Sequence, residues 1–221
     1  MLNKRLKAIS ELVKPCDILF DVGSDHGFLP LNLLINKKIN KAIIGEINEG
    51  PLEQAKKNFL RYPNLDVEFI LSDGLKSYNN NNLDTVVIAG MGFETIQHIM
   101  TQDLEKFKKI PQIILQSNTK IENLRRFLND HSFMIIDEDI VKDRKYYYPI
   151  IKVCFNDLKQ NLSDAEILFG PILINKNQSV FSDYLLFCMK VEEKIIIAQN
   201  KESSERIQII NNLLDLNENL D

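Results

Sequence analysis

Cysteine is scarce in this chain: Cys16, Cys154 and Cys188 stand far apart, odd in number and without a C-x-x-C spacing. That arrangement suggests neither a disulfide framework nor a zinc site, so no metal is expected and a reduced, cytoplasmic setting is. Long apolar runs are missing as well. The opening MLNKRLKAISELV carries charges throughout and does not read as a signal peptide, and no later stretch is long enough to span a bilayer. Nor is there an excess of positive charge. The 27 Lys and Arg face 31 Asp and Glu, a formal net charge of -4, which argues against indiscriminate coating of nucleic acid. The deficit is local: residues 157–221 hold eleven acids and six bases, which leaves the preceding residues at about +1. Any polyanion-binding surface is therefore expected on the first part of the chain.

What is present is enough for one α/β domain and a smaller appendage, with 221 residues of which 44% are hydrophobic. The organising stretch is LFDVGSDHGF, residues 19–28. An apolar strand ends at Asp21, and Gly23 and Gly27 allow a tight turn into a helix that starts near Phe28. Before it, Leu2, Leu6, Ile9 and Val13 recur at helical spacing. After it, strands and helices alternate in the manner of a parallel sheet. Strands are predicted over 18–22, 42–47, 67–71, 85–89 and 112–116. Segments 134–136 and 150–155 follow as an antiparallel hairpin at the sheet edge, with 142–148 as the loop between them. Beyond Asn156 the strand pattern stops. Val180, Tyr184, Phe187, Val191 and Ile195 make one apolar stripe and Ile207, Ile210, Leu214 and Leu216 another, so two helices are expected to pair as an antiparallel coiled-coil hairpin. The predicted division is a Rossmann-like α/β domain over 1–156 and a helical domain over 157–221.

The strand ends carry the chemistry. Asp21, Gly23, Ser24 and Asp25 form the first turn; Glu46 and Ile47 end the second strand; Asp73 and Gly74 follow the third; Ala89 and Gly90 end the fourth. In a doubly wound sheet all four point toward one crevice outside the carboxyl ends of the strands. Glu46 is placed to accept the ribose hydroxyls of an adenosine, and Asp73 its exocyclic amine. Each feature has an ordinary reading too: a plain tight turn, a solvated helix-cap glutamate, and a turn aspartate before glycine. Their convergence is the argument. A pyrophosphate would want G-x-G-x-x-G and a free helix N-terminus, whereas two acids, Asp21 and Asp25, stand in this turn. Carboxylates repel phosphate and attract ammonium and sulfonium, so the expected ligand is S-adenosyl-L-methionine (SAM).

GSDHGFLP (23–30), GE followed by GP (Gly45, Glu46, Gly50, Pro51), SDGL (72–75), IAGMG (88–92) and LQSN (115–118) together resemble the bacterial tRNA (adenine-22 N1)-methyltransferase family. The likeness extends to Arg5 and Leu6, to FGP at 169–171 and to the helical C-terminus. It implies a class I methyltransferase that transfers a methyl group from SAM to N1 of adenine 22 in the D-loop region of tRNA. It also implies that Asp21, Gly23, Glu46, Asp73 and Gly90 hold SAM and that Arg5 reaches its carboxylate. Phe93 stands where the family usually has a second glycine after GMG, and Ser117 departs from the usual LQPN-like exit.

Adenine N1 has an in-plane lone pair and is largely unprotonated at neutral pH, so alignment with the methyl donor is the chief demand. Asp25 and His26 are the catalytic candidates, Asp25 by hydrogen bonding the adenine amine and His26 as proton acceptor or orienting group. A histidine that only satisfies the turn backbone is the alternative. A target base in folded tRNA has to be unstacked, with Phe28, Met91 or Phe93 available to stack on it. Lys4, Arg5 and Lys7, then Lys37, Lys38 and Lys41, then Lys142, Arg144 and Lys145 with Tyr146–Tyr148 are the candidate phosphate contacts. The protein is expected to be monomeric. Two other functions compete: methylation of another RNA or of a protein, and non-catalytic regulation through bound SAM.

Overall fold

The computed structural model describes residues 2–80, 82–158, 160–176, 179–199 and 204–218. The chain divides into two compact units, Met1–Asn161 and Leu162–Asp221. The first is built on a seven-stranded sheet of order β3-β2-β1-β4-β5-β7-β6. Its strands are β1 (Cys16–Val22), β2 (Ile39–Glu46), β3 (Asp66–Leu71), β4 (Thr85–Met91), β5 (Gln112–Ser117), β6 (Phe133–Asp143) and β7 (Tyr146–Phe155). β1 to β5 run parallel, and β7 is antiparallel to both β5 and β6.

The runs ILFDV, TVVI and QIILQ occupy the centre because strands buried on both faces need apolar residues at nearly every position. β3, at one edge, alternates between exposed and half-buried residues instead. On one face Leu19, Ala42, Ile44, Val87 and Ile114 pack with Ile9, Leu33, Leu34, Leu52 and Phe59. Those partners come from α1 (Lys4–Leu12), α2 (Phe28–Ile35) and α3 (Glu49–Phe59). Alternate residues such as Phe20, Val86 and Ile88 face the other way, toward α4 (Phe93–Gln102), the short α5 (Leu104–Phe107) and α6 (Ile121–Asp130). Arg125 of α6 and Glu138 of β6 form a fully buried ion pair, with Nε donating to Oε1 at 3.0 Å.

α1 is fixed at both ends, which sets where its side chains meet the sheet. Asn3 caps it, its side chain accepting from the Leu6 amide at 2.8 Å. At the other end Lys38 Nζ donates to the Ser10 carbonyl at 2.6 Å and Lys152 Nζ to the Leu12 carbonyl at 2.9 Å. Two ammonium groups thus satisfy the last carbonyls and match the negative end of the helix dipole.

One expectation for the sheet needs correction. The predicted loop 142–148 is mostly strand: Asp143 pairs with Tyr146, Lys142 with Tyr147 and Val141 with Tyr148. The hairpin turns on Arg144 and Lys145 alone, with Arg144 at φ 56°. No Asn-Gly or Gly marks that turn, and a run of charges hides strands held together by tyrosines.

The second unit contains α7 (Asp164–Phe169), α8 (Pro171–Lys176), α9 (Ser179–Gln199) and α10 (Glu205–Glu218). A capping box between Ser163 and Glu166 starts α7. α9 and α10 pack together, with Ser204 Oγ donating to Glu192 at 2.8 Å and the Arg206 guanidinium 5.6 Å from the centre of the buried Phe169 ring. The buried face of α9 is Phe181, Tyr184, Leu185 and Cys188, and that of α10 is Ile210 and Leu213. The predicted stripe through Phe187, Val191 and Ile195 is exposed, as is Leu216. Among the described residues no helix is long and apolar enough to cross a membrane.

Candidate active site

A cavity of about 300 Å³ opens at the carboxyl ends of β1 and β4. α1 contributes Arg5 and Leu6, β1 contributes Asp21, the β1–α2 turn contributes Gly23, Ser24, Asp25 and His26, and β4 contributes Ala89 and Gly90. Eight of the predicted site residues thus share one space, in the size range of small-molecule sites.

Asp21 is 5% exposed and accepts from the Ser24 hydroxyl. Burial pushes its carboxyl up to about 7; the Ser24 hydrogen bond opposes that shift and the nearby Glu46 charge adds to it. The acid is therefore poised to ionise when a cation enters. Gly23, at φ +69°, leaves room here, since a Cβ would collide with the terminal methyl of Met91.

Arg5 reaches the cavity through a network that no local motif announces. Its Nη1 donates to Gln116 Oε1 at 3.2 Å, and the same oxygen accepts from the Gly90 amide at 3.1 Å. Gln116 Nε2 donates to Asn118 Oδ1 at 3.1 Å, and Asn118 Nδ2 donates to the Gly90 carbonyl at 2.7 Å. The guanidinium also lies 5.6 Å from the centre of the Tyr148 ring. Gly90, at φ +82°, keeps the β4 exit open, because a Cβ there would stand 3.2 Å from Arg5 Nη1. The LQSN motif flags Gln116 and Asn118, but their bonds to Gly90 depend on β5 lying beside β4.

The remaining predicted residues sit apart. Glu46 is 6% exposed and spends Oε1 on the Asp25 amide, so it shapes the turn from behind. Burial raises its carboxyl above the usual range, partly offset by that amide bond. Asp73 pairs with Lys76 Nζ at 2.6 Å, which holds its carboxyl below the usual range. Gly74 belongs to the same turn, where Ser72 Oγ donates to its carbonyl. Ile47 is exposed. None of these four lines the cavity.

Asp25, at φ 57°, lines the cavity with an exposed carboxylate whose Oδ2 lies 3.5 Å from His26 Nε2. The His26 and Phe28 rings are 5.3 Å apart and tilted by 31°. Phe28 is 48% exposed and also lines the cavity, whereas Phe93 is buried in the core. Met91 is half-buried, with its terminal methyl against Gly23. Among the described residues no group of three or more His, Cys, Asp and Glu could hold a metal ion.

A sheet of this order with an acid-rich cavity over β1 and β4 defines a Rossmann-like methyltransferase. The family model described as tRNA (adenine(22)-N(1))-methyltransferase matches residues 19–219, and the chain belongs to that family. It is 29% identical to the tRNA (adenine(22)-N(1))-methyltransferase of Bacillus subtilis (strain 168), over 97% of each chain. Two solved structures are similar throughout. Streptococcus pneumoniae Sp1610 in complex with SAM has 31% identity and a TM-score of 0.81, covering 97% of this chain and 100% of that one. M. capricolum TrmK in complex with S-adenosyl-homocysteine has 29% identity and a TM-score of 0.78, covering 100% of this chain and 97% of that one.

Proposed function

We propose that this chain transfers a methyl group from SAM to N1 of adenine 22 in the D-loop region of tRNA. The observation that carries the proposal is one cavity holding a buried acid, Asp21, and a guanidinium, Arg5, as a zwitterionic amino-acid moiety demands. The residues fit the cofactor: Arg5 would hold its carboxylate, Asp21 its ammonium, and the Gly23–Ser24 and Ala89–Gly90 backbones would line its path. Glu46, Ile47, Asp73 and Gly74 stand outside that cavity and are assigned to the adenosine half by their place at the ends of the adjacent β2 and β3 alone. When bound, SAM would supply an electrophilic methyl on its sulfonium, the S–CH3 bond breaking as the N1–CH3 bond forms and S-adenosyl-homocysteine leaving.

The chain's own residues then align the acceptor. N1 attacks with its lone pair and loses no proton, so no strong base is required, and orientation supplies much of the rate. The methylated ring carries a positive charge, which the Asp25 carboxylate stabilises while accepting from the exocyclic amine. His26 orients Asp25, and Phe28 stacks on the extruded base. The first unit, Met1–Asn161, carries this chemistry. The enzyme works as a cytoplasmic monomer.

The test is methylation of an unmodified tRNA transcript with labelled SAM. The expected result is one methyl group per tRNA, lost when adenine 22 is replaced. Incorporation that survives the replacement would redirect the activity to another nucleotide, and tight SAM binding with no transfer to any RNA would leave a regulator.

A further inference from the structure

Three basic clusters compete for the tRNA backbone in the sequence, and the fold separates them. Lys37, Lys38 and Lys41 lie where α2 leads into β2, at the amino end of the sheet. Lys38 is engaged with the end of α1, and Lys41 pairs with Glu68 at 2.9 Å. The other two clusters merge, since Lys4 Nζ donates to the Lys142 carbonyl at 3.4 Å.

The β6–β7 hairpin also overhangs the cavity end. Leu115 of β5 pairs with Ile151 of β7, so β5 ends at Ser117 level with Pro149 while β7 extends back to Tyr146. At about 3.3 Å per residue the tip stands roughly 10 Å past the carboxyl end of β5. Its strands sort their side chains by alternation. Tyr148 covers Arg5 beside the cavity, whereas Lys142 and Tyr147 pair on the opposite face, with Nζ 5.1 Å from the ring centre. At the tip Lys145 lies 5.3 Å from the ring centre of Tyr146, which is 53% exposed. Arg144 is exposed beside them, and the one acid in this stretch is Asp143.

We infer that the hairpin tip is an RNA-docking element, and this rests on the tRNA-methylating function proposed for the chain. Arg144 and Lys145 contact phosphates flanking the target adenine, and Tyr146 stacks on an unpaired neighbouring base. The surface fits single-stranded RNA because it combines cations with an exposed aromatic face. It fits this reaction because the next inward residue of the same strand face, Tyr148, packs on a residue of the cavity wall.

The experiment compares wild type, an Arg144→Gln/Lys145→Gln double variant and Tyr146→Ala. It measures tRNA affinity against salt, KM for tRNA and SAM affinity. The double variant is expected to lower the slope of log Kd against log salt by about 1.4, two contacts at about 0.7 each. Tyr146→Ala is expected to raise KM for tRNA about tenfold with the salt slope kept, and Tyr146→Phe to restore it. SAM affinity should match wild type in all of them, which also reports an intact fold. Wild-type KM and salt slope in both the double variant and Tyr146→Ala, in a protein that methylates tRNA, would overturn the docking assignment alone. A wild-type protein that neither binds nor methylates tRNA would overturn the function and this inference with it.

Discussion

The two ends of the central sheet handle charge in opposite ways. At the amino end polar side chains complete the backbone. Asp84 Oδ2 accepts from the Asp17 and Ile18 amides at 3.0 and 2.9 Å, and Lys38 and Lys152 close the last turn of α1. Gln112 bonds both backbone groups of Lys14. At the carboxyl end Asp21 is buried with a hydroxyl as its hydrogen-bond partner, and its carboxyl is raised to about 7. The turns there hold Gly23, Asp25, Gly74 and Gly90 at positive φ. The amino end spends its polarity on the fold; at the carboxyl end Glu46, Asp73 and Gln116 are likewise engaged, and Asp21 is the acid left buried without a cationic partner, at a cost in stability, for a ligand.

Substitutions should therefore trade stability and affinity differently at the two ends. Asp21→Asn gives the largest expected effect: SAM affinity falls about 100-fold or more, as for loss of a buried charge-assisted bond, and methylation is lost. Thermal unfolding at pH 8 should show the variant more stable than wild type by a few kcal/mol, because a carboxylate raised to about 7 is strained when ionised. A variant that is less stable and still binds SAM would erase the contrast. Asp84→Ala is the mirror image. Two backbone amides lose their acceptor, so chemical denaturation should report a loss of about 1–3 kcal/mol with SAM affinity unchanged. Asp25→Ala comes next: single-turnover rates should fall about tenfold while SAM titrations match wild type, and normal turnover would remove Asp25 from the mechanism.

The same contrast explains what the sequence discloses. Strand-end acids and glycines are legible because each lies beside its own strand, and buried parallel strands are written as apolar runs such as TVVIA and QIILQ. Arg5 is placed only through family likeness, since its bond to Gln116 joins residues 111 positions apart. The pairing of Asp73 with Lys76 is in plain view at i,i+3, yet nothing local decides whether such an acid turns to its neighbour or to a cavity. The hairpin tip reads as a loop because tyrosine pairs, not alternating apolar residues, hold it. In α9 an apolar stripe with two competing phases leaves the sequence unable to say which face is covered, and the fold covers the phase through Phe181 and Leu185.

The pH dependence gives the smallest and sharpest test, because stability and affinity follow the ionisation of Asp21 in opposite directions. Unfolded Asp21 loses its proton near 3.8, whereas the folded protein holds it until about 7. Between those values the native state binds more protons than the unfolded state, so the stability Asp21 contributes is fully present below about 4 and is lost as pH rises through 7. Binding a cationic ligand needs the ionised acid. SAM affinity should thus rise about tenfold between pH 5.5 and 6.5, as the stability of the free protein declines. Calorimetry in buffers of different ionisation enthalpy should detect a proton released on binding at pH 6.5. Asp21→Asn should flatten the pH dependence of stability. SAM affinity that does not change across this range would mean that Asp21 does not face the ligand's ammonium, and the contrast between the two ends would then concern the fold alone.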